Sequence, residues 1–374
     1  LDINTGLAGR VLALADLVDP DEDAALEQLA HLALLLAEDA EDPARDRLPG
    51  LYVGDSGIAV SLLRASQTLQ SPDLEARAAA LMRQSNRLAH DSPDMFNGMA
   101  GRLLANLLFS EATREEDFLA SANDFATRLA ETAVTTGTGE CAWAIPEGYS
   151  GLAGKIHTGY SHGAAGIADA LLDLHEMTGE ERHAALALGT ARWLVRIAEP
   201  CGLGGDGLEW PVTEGGQPMG PLWCHGAGGV ARLFLSLHRL GLMEGALDVA
   251  RRAMVSVTGP GRALGPTRCH GLAGSIEILL DVERAAGDGV HLARARQLGA
   301  LLPAFALPIG STLAWCGDEP GQISASYMTG GAGIAVALQR LAAPERPHQL
   351  SRQGFRWRAR QVPSHATQHA AQGG

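Results

Sequence analysis

Two short segments carry the residues best suited to chemistry, Trp223-Cys224-His225-Gly226 and Cys269-His270-Gly271. Each thiol directly precedes a His-Gly pair, and each of those glycines is followed by another three residues on. Two thiolates and an imidazole are donors that Zn²⁺ prefers, and three protein ligands leave a fourth position open for chemistry. The expected ligands are Cys224, Cys269 and His270. The cysteines are 45 residues apart and the chain has no C-x2-C pair, unlike a small structural zinc finger. A larger fold must therefore bring the two segments together. Either Cys-His-Gly alone reads more readily as a buried thiol. Their shared context inside an internal repeat favours the metal.

Such a centre suits a substrate thiol better than water. A free cysteine has a pKa of about 8.5 and is a few per cent thiolate at neutral pH. Coordination removes that limit. Water-activating zinc sites more often carry several histidines or carboxylates. A thiolate adding to an alkene beside a carbonyl gives an enolate, which needs a proton. His162, in Tyr160-Ser-His-Gly163, holds the register of His225 and His270 before its own G-x-x-G. Imidazole suits proton transfer near neutrality. A capping or core histidine is the competing reading. His225, beside Cys224, is a second proton-transfer candidate or a support for the ligands. Asp94 lies four residues before Gly98 and is a candidate to orient a histidine; an exposed helix cap is its plainer reading. Cys141, Cys201 and Cys316 lack the His-Gly context and read as loop or core thiols.

The elements that must position these residues are visible as a repeat. G-x-x-G followed by an apolar run occurs at Gly6–Gly9, Gly54–Gly57, Gly98–Gly101, Gly163–Gly166, Gly226–Gly229, Gly271–Gly274 and Gly330–Gly333. The seven copies are 44 to 65 residues apart, and that periodicity points to a repeat architecture. An eighth match, Gly151-Leu-Ala-Gly154, breaks the rhythm and reads as a loop. The runs after the glycines have helical spacing, as in Ile167-Ala-Asp-Ala-Leu-Leu-Asp-Leu. More polar helical stretches lie between them, at 73–88, 115–132 and 291–301 among others. Each repeat is therefore expected to be a helix pair, one nearly all apolar and one amphipathic. The pairs could stack as an open solenoid or close into a ring. Convergence of Asp94, His162 and the metal ligands, which come from non-adjacent repeats, favours the ring.

The chain has 374 residues, 46% of them hydrophobic, and a net charge of −14. This is enough to bury a large core. The acidic balance argues against binding a nucleic-acid backbone. No apolar span reaches the roughly 20 residues of a membrane helix, and no signal peptide is recognisable. Free cysteines fit a cytoplasmic setting. The start at Leu1, without Met, looks like a domain cut from a longer protein. The repeat domain is placed at 1–341, and the Pro-, Arg-, His- and Gln-rich stretch 342–374 reads as a tail of disordered composition.

The set Pro93-Asp94…Gly98-x-x-Gly101, Ser161-His162-Gly163-x-x-Gly166, Trp223-Cys224-His225-Gly226 and Cys269-His270-Gly271 resembles the lanthionine synthetase C-like cyclases. The resemblance covers about residues 1–341. It implies an all-α fold, an α/α toroid of seven inner and seven outer helices. It implies Zn²⁺ on Cys224, Cys269 and His270, with His162 and Asp94 in the active site. It also implies addition of peptide cysteines to dehydroalanine or dehydrobutyrine, giving lanthionine or methyllanthionine. The stretch Pro49-Gly-Leu-Tyr-Val-Gly54 looks like the cyclase domain of a class IV lanthipeptide synthetase, where lyase and kinase domains precede the cyclase. Class III enzymes are similar but lack the zinc ligands. Some stand-alone cyclases carry Tyr where this chain has His225. The partners implied are a dehydrated precursor peptide and those upstream domains. Two other classes compete: a prenyltransferase-like zinc enzyme, disfavoured by only 5% aromatic residues, and a peptide-binding scaffold with structural zinc.

Overall fold

The computed structural model describes residues 1–361 except 150, 203, 260–264 and 320. Apolar runs after the glycines form seven helices: α1 (Leu7–Leu17), α3 (Asp55–Leu69), α5 (Met99–Thr113), α7 (Ala164–Thr178), α9 (Ala227–Arg239), α11 (Leu272–Ala286) and α13 (Gly331–Ala342). Their N-caps are Gly6, Gly54, Gly98, Gly163, Gly226, Gly271 and Gly330. Most of these helices are buried nearly all round, and in α3 only Gln67 and Leu69 are not; α1 and α13, where the ring closes, are less covered. Between them run α2 (Asp23–Glu41), α4 (Pro72–Asn86), α6 (Glu116–Thr132), α8 (Glu181–Ile197), α10 (Ala246–Thr258) and α12 (Val290–Gly299). These bury one stripe. In α6 it is Phe118, Ala122, Phe125, Ala126 and Leu129, at three- and four-residue steps.

Each inner helix packs on the next, and α13 packs on α1, so the inner helices close into a ring with the outer helices around it. The fold is an α/α toroid, as the sequence leads one to expect. The loops entering the inner helices seal one rim. The residues two before each first glycine pass backbone hydrogen bonds around the ring. Asn4 N–H donates to Tyr52 O (2.9 Å), Tyr52 to Phe96 (3.0 Å), Phe96 to Ser161 (2.9 Å) and Ser161 to Cys224 (3.0 Å). Cys269 donates to Met328 (2.8 Å), and Met328 returns to Asn4 (3.1 Å). Among the described residues no such bond joins Cys224 to Cys269. The second glycine of each pair lets adjacent loops touch. A Cβ on Gly229 would lie 2.1 Å from Trp223 O and 2.7 Å from Tyr160 Cβ. At Gly9, where the ring closes, it would meet Tyr327 Cβ at 2.6 Å. Only glycine allows that approach.

Among the described residues, three two-stranded antiparallel hairpins interrupt the helices: β1 (Val134–Gly137) with β2 (Glu140–Ala142), β3 (Glu199–Cys201) with β4 (Gly207–Glu209), and β5 (Ala306–Ile309) with β6 (Thr312–Trp315). Residues 151–154, the eighth glycine match, are turns.

The seventh pair, α13 with the last described helix, differs from the other six, and one expectation needs correction. After α13 the chain turns back, and α14 (Arg352–Gln361) packs on α3 and α5. The expected tail from 342 is folded through 361; residues 362–374 lie outside the described residues. This segment crosses the far mouth of the ring on polar contacts. Arg64 donates to Gln349 O (3.2 Å), Gln349 Nε2 donates to Leu12 O (3.0 Å), and Arg358 donates to Val18 O (3.1 Å). Arg352 pairs with Glu111 (3.3 Å) and Glu176 (3.1 Å). Arg352 and Arg358 are buried, so composition alone misread the segment. No helix among the described residues is long and apolar enough to cross a membrane.

Candidate active site

Cys224 and Cys269 hold equivalent places in adjacent rim loops, at the gap in the hydrogen-bond belt, and both are buried. His270 follows, with its side chain at the open rim. One donor atom from each of the three lies within 4.8 Å of the others. His270 Nδ1 stands 2.7 Å from Asp318 Oδ2, and Asp318 Oδ1 accepts from Thr267 Oγ1 at 2.6 Å. That arrangement commits Nδ1–H to Asp318 and leaves Nε2 for the thiols, the partnership usual for metal-ligating histidines.

The electrostatics of the trio fit a divalent cation. The Cys224 thiol is pushed down to about 4, first by its hydrogen bond with Cys269 and then by His270. Cys269 is pushed up by the same pairing and by burial. His270 is raised to about 10 by Asp318 and by Cys224. One sulfur takes the charge and the other must keep its proton. A metal ion between them removes that conflict, because both thiolates then face positive charge. The residues present therefore suit Zn²⁺, whose site they could form.

The histidine and aspartate candidates meet on the same rim. His162 Nδ1 is 2.6 Å from Asp94 Oδ2. The second Asp94 oxygen accepts from Asn97 N–H at 2.8 Å. Asp94 is fully buried, so it is not an exposed loop acid, although it also caps the turn before α5. The His162 ring stacks on His225, with centroids 5.7 Å apart and planes at 26°. His225 is the neighbour of Cys224, which completes a line from Asp94 through two imidazoles to the cysteine loop. Burial pushes the pKa of His225 down, favouring the neutral ring. Its Nδ1 is buried without a protein partner.

Aromatic residues are scarce in the chain but gather here. Tyr52 stacks on Phe96 (4.9 Å, 7°) and tilts against Trp223 (5.3 Å). Phe96 in turn lies 5.1 Å from His162, and Tyr160 lies 5.5 Å from Trp223. The rings form an apolar floor beneath the polar rim. Sequence reasoning missed Tyr52, Phe96 and Asp318. The signal for the aromatic pair was available, since both stand two residues before a repeat glycine, like Cys224 and Cys269. Asp318 had no such register. Cys141, Cys201 and Cys316 are half-buried free thiols outside the trio. A cavity of about 300 Å³ between α7, α9, α11 and residues 348–353 lies at the opposite end of the ring, away from this chemistry.

The chain resembles solved structures with the same architecture. It is similar to one titled nisin cyclase at 18% identity and a TM-score of 0.67, covering 97% of this chain and 93% of that one. A second similarity, to the Lin0763 protein from Listeria innocua, has 14% identity and a TM-score of 0.53, covering 83% of this chain and 86% of that one. No curated protein sequence matches. The model of the family described as lanthionine synthetase C-like protein matches residues 1–351, and the chain belongs to that family.

Proposed function

We propose that this chain is a zinc-dependent cyclase that closes (methyl)lanthionine rings in a dehydrated precursor peptide, as the cyclase part of a class IV-like synthetase with lyase and kinase domains. One observation carries this reading: Cys224, Cys269 and His270 converge on the same rim as the Asp94–His162–His225 line. Cys224, Cys269 and His270 would hold Zn²⁺, which when bound would make a substrate thiol available as thiolate at neutral pH. The sulfur bonds to Cβ of dehydroalanine or dehydrobutyrine, and the alkene electron pair moves through Cα onto the carbonyl oxygen. His225, kept neutral by burial, accepts the thiol proton. His162, acting as the imidazolium with Nδ1–H on Asp94, delivers the Nε2 proton to Cα and regains one from His225 through solvent, which resets both rings. One proton leaves sulfur and one reaches carbon, so the peptide mass is unchanged. The aromatic floor keeps water from the enolate.

The direct test incubates zinc-loaded protein with a peptide carrying dehydrated Ser or Thr and free Cys. Thiols should disappear to an alkylating probe at constant mass. Thiol loss no faster than without protein refutes the reading.

Asp318 makes a separate claim testable. Removing the carboxylate behind a metal-bound histidine typically weakens metal affinity by about 10–100-fold. Asp318→Ala is expected to show that loss in competition with a chromophoric chelator, with cyclisation recovering at excess Zn²⁺. Unchanged affinity would leave Asp318 as a loop acid.

A further inference from the structure

We propose that hairpin β5–β6 and its flanking turns form a docking surface for an apolar, extended segment of the peptide substrate, next to the metal ligands. The proposal rests on the cyclase reading above. Residues 297–317 contain no charged side chain, in a chain that is 19% charged. Leu298 and Leu302 in this stretch are buried, but most of its other large apolar side chains are not. Leu301 (36% exposed), Phe305 (38%), Leu307 (43%), Ile309 (49%) and Leu313 (54%) are open to solvent, and Ile323 (50%) adjoins them. These six are nearly half of the thirteen large apolar side chains exposed among the described residues; the others are spread over three helices, two loops and another hairpin.

The surface is built, not frayed. Trp315 Nε1 donates to Leu302 O (3.0 Å), which ties β6 to the turn Leu302–Phe305. Cys316 pairs with Ile323, and Ser324 N–H donates to Trp315 O (3.3 Å). Pro308 pairs with Leu313 and Leu307 with Ala314. Alternation therefore puts Leu307 and Ile309 on one face of the hairpin and Leu313 on the other. An uncharged apolar hairpin is an aggregation hazard that proteins usually blunt with charge. Its retention here points to a partner.

Position identifies the partner. Only Gly317 separates the bridged Cys316 from Asp318, whose carboxylate holds His270. A peptide with its cysteine at the metal must run across this rim. At about 3.3 Å per residue, a few residues on either side of that cysteine span a four-residue strand. The surface offers such a peptide apolar area and no ionic contact, so it suits Leu, Ile, Val or Phe near the reacting cysteine.

The test uses the zinc-loaded full chain and two dehydrated peptides, one with apolar residues flanking the cysteine and one with Ser in their place. The double variant Leu307→Ser/Ile309→Ser, at exposed sites on one face of the hairpin, should retain zinc. With the apolar peptide its KM should rise about tenfold or more, with kcat kept. With the Ser peptide its KM should match wild type. Equal KM for the two peptides in wild type overturns the proposal, as does an unchanged KM in the variant. A shift from dimer to monomer on substitution, by light scattering, assigns the patch to a second copy and also overturns it. If wild type cyclises neither peptide, the cyclase reading fails instead. Fluorescence anisotropy with the undehydrated apolar peptide then decides docking, which requires tighter binding to wild type than to the variant.

Discussion

Cys224→Ala and Cys269→Ala are each expected to lose most of the bound Zn²⁺ and to abolish ring formation. Two ligands remain in either variant, and neither pair contains the two thiolates that balance a divalent charge. The loss should not come from unfolding. The rim at these positions is held by main-chain groups, Ser161 N–H on Cys224 O and Cys269 N–H on Met328 O, and alanine keeps both. The side chains are small, so the cavity left is small. Metal analysis, circular dichroism and thiol alkylation form the test. Near-stoichiometric zinc in both variants would sink the ligand assignment. The same measurements separate the enzyme from a scaffold with structural zinc. Chelation of wild type should stop cyclisation while the helical signal persists, and added Zn²⁺ should restore activity. A scaffold would lose its fold with the metal and would show no activity to restore.

The ring and the candidate site were legible in the sequence for different reasons. The repeat was legible because its glycines are required sterically: at Gly229 and Gly9 a neighbouring loop occupies the space a side chain would need. Register then predicted geometry. Asn4, Tyr52, Phe96, Ser161, Cys224, Cys269 and Met328 share one place relative to those glycines and form one belt. The histidine after Ser161 and those after the two cysteines inherit neighbouring places on the rim. What register could not give was any partner from outside the repeat. Asp318 reaches His270 from the loop after a hairpin, at no fixed distance from a glycine. The segment 346–358 was misread because hydrophobic periodicity reports apolar burial, whereas this segment is buried by ion pairs and side chain–backbone hydrogen bonds. The seventh outer helix was expected by extrapolating the repeat. The last described helix, α14, is the seventh outside the inner ring, and it packs on α3 and α5 across the ring's end.

His162→Ala is expected to retain zinc and slow cyclisation by roughly 10²–10⁴-fold, the usual contribution of a general acid or base. Asp94 provides the sharper test, because its two oxygens are already committed. One accepts from Asn97 N–H and the other faces His162 Nδ1. An asparagine has only one carbonyl oxygen. If it serves Asn97, the amide NH₂ faces His162 and imposes the opposite tautomer, with the hydrogen on Nε2. If it serves His162, the NH₂ confronts the Asn97 N–H and the turn before α5 loses its cap. The first arrangement frees Nδ1 of its hydrogen and removes Nε2 as an acceptor; the second keeps Nδ1–H bound but loosens the turn that holds residue 94 against His162. Asp94→Asn should therefore lower kcat, alter its pH profile and leave KM and zinc content near wild type. A purely structural Asp94 predicts a different pattern: reduced stability, with kcat and its pH profile unchanged in the folded fraction. Asp94→Glu keeps both acceptors but moves them outward by one methylene, and should recover part of the rate if His162 is being oriented. Equal activity of wild type, Asp94→Asn and His162→Ala at neutral pH, with zinc bound, would remove both residues from the mechanism.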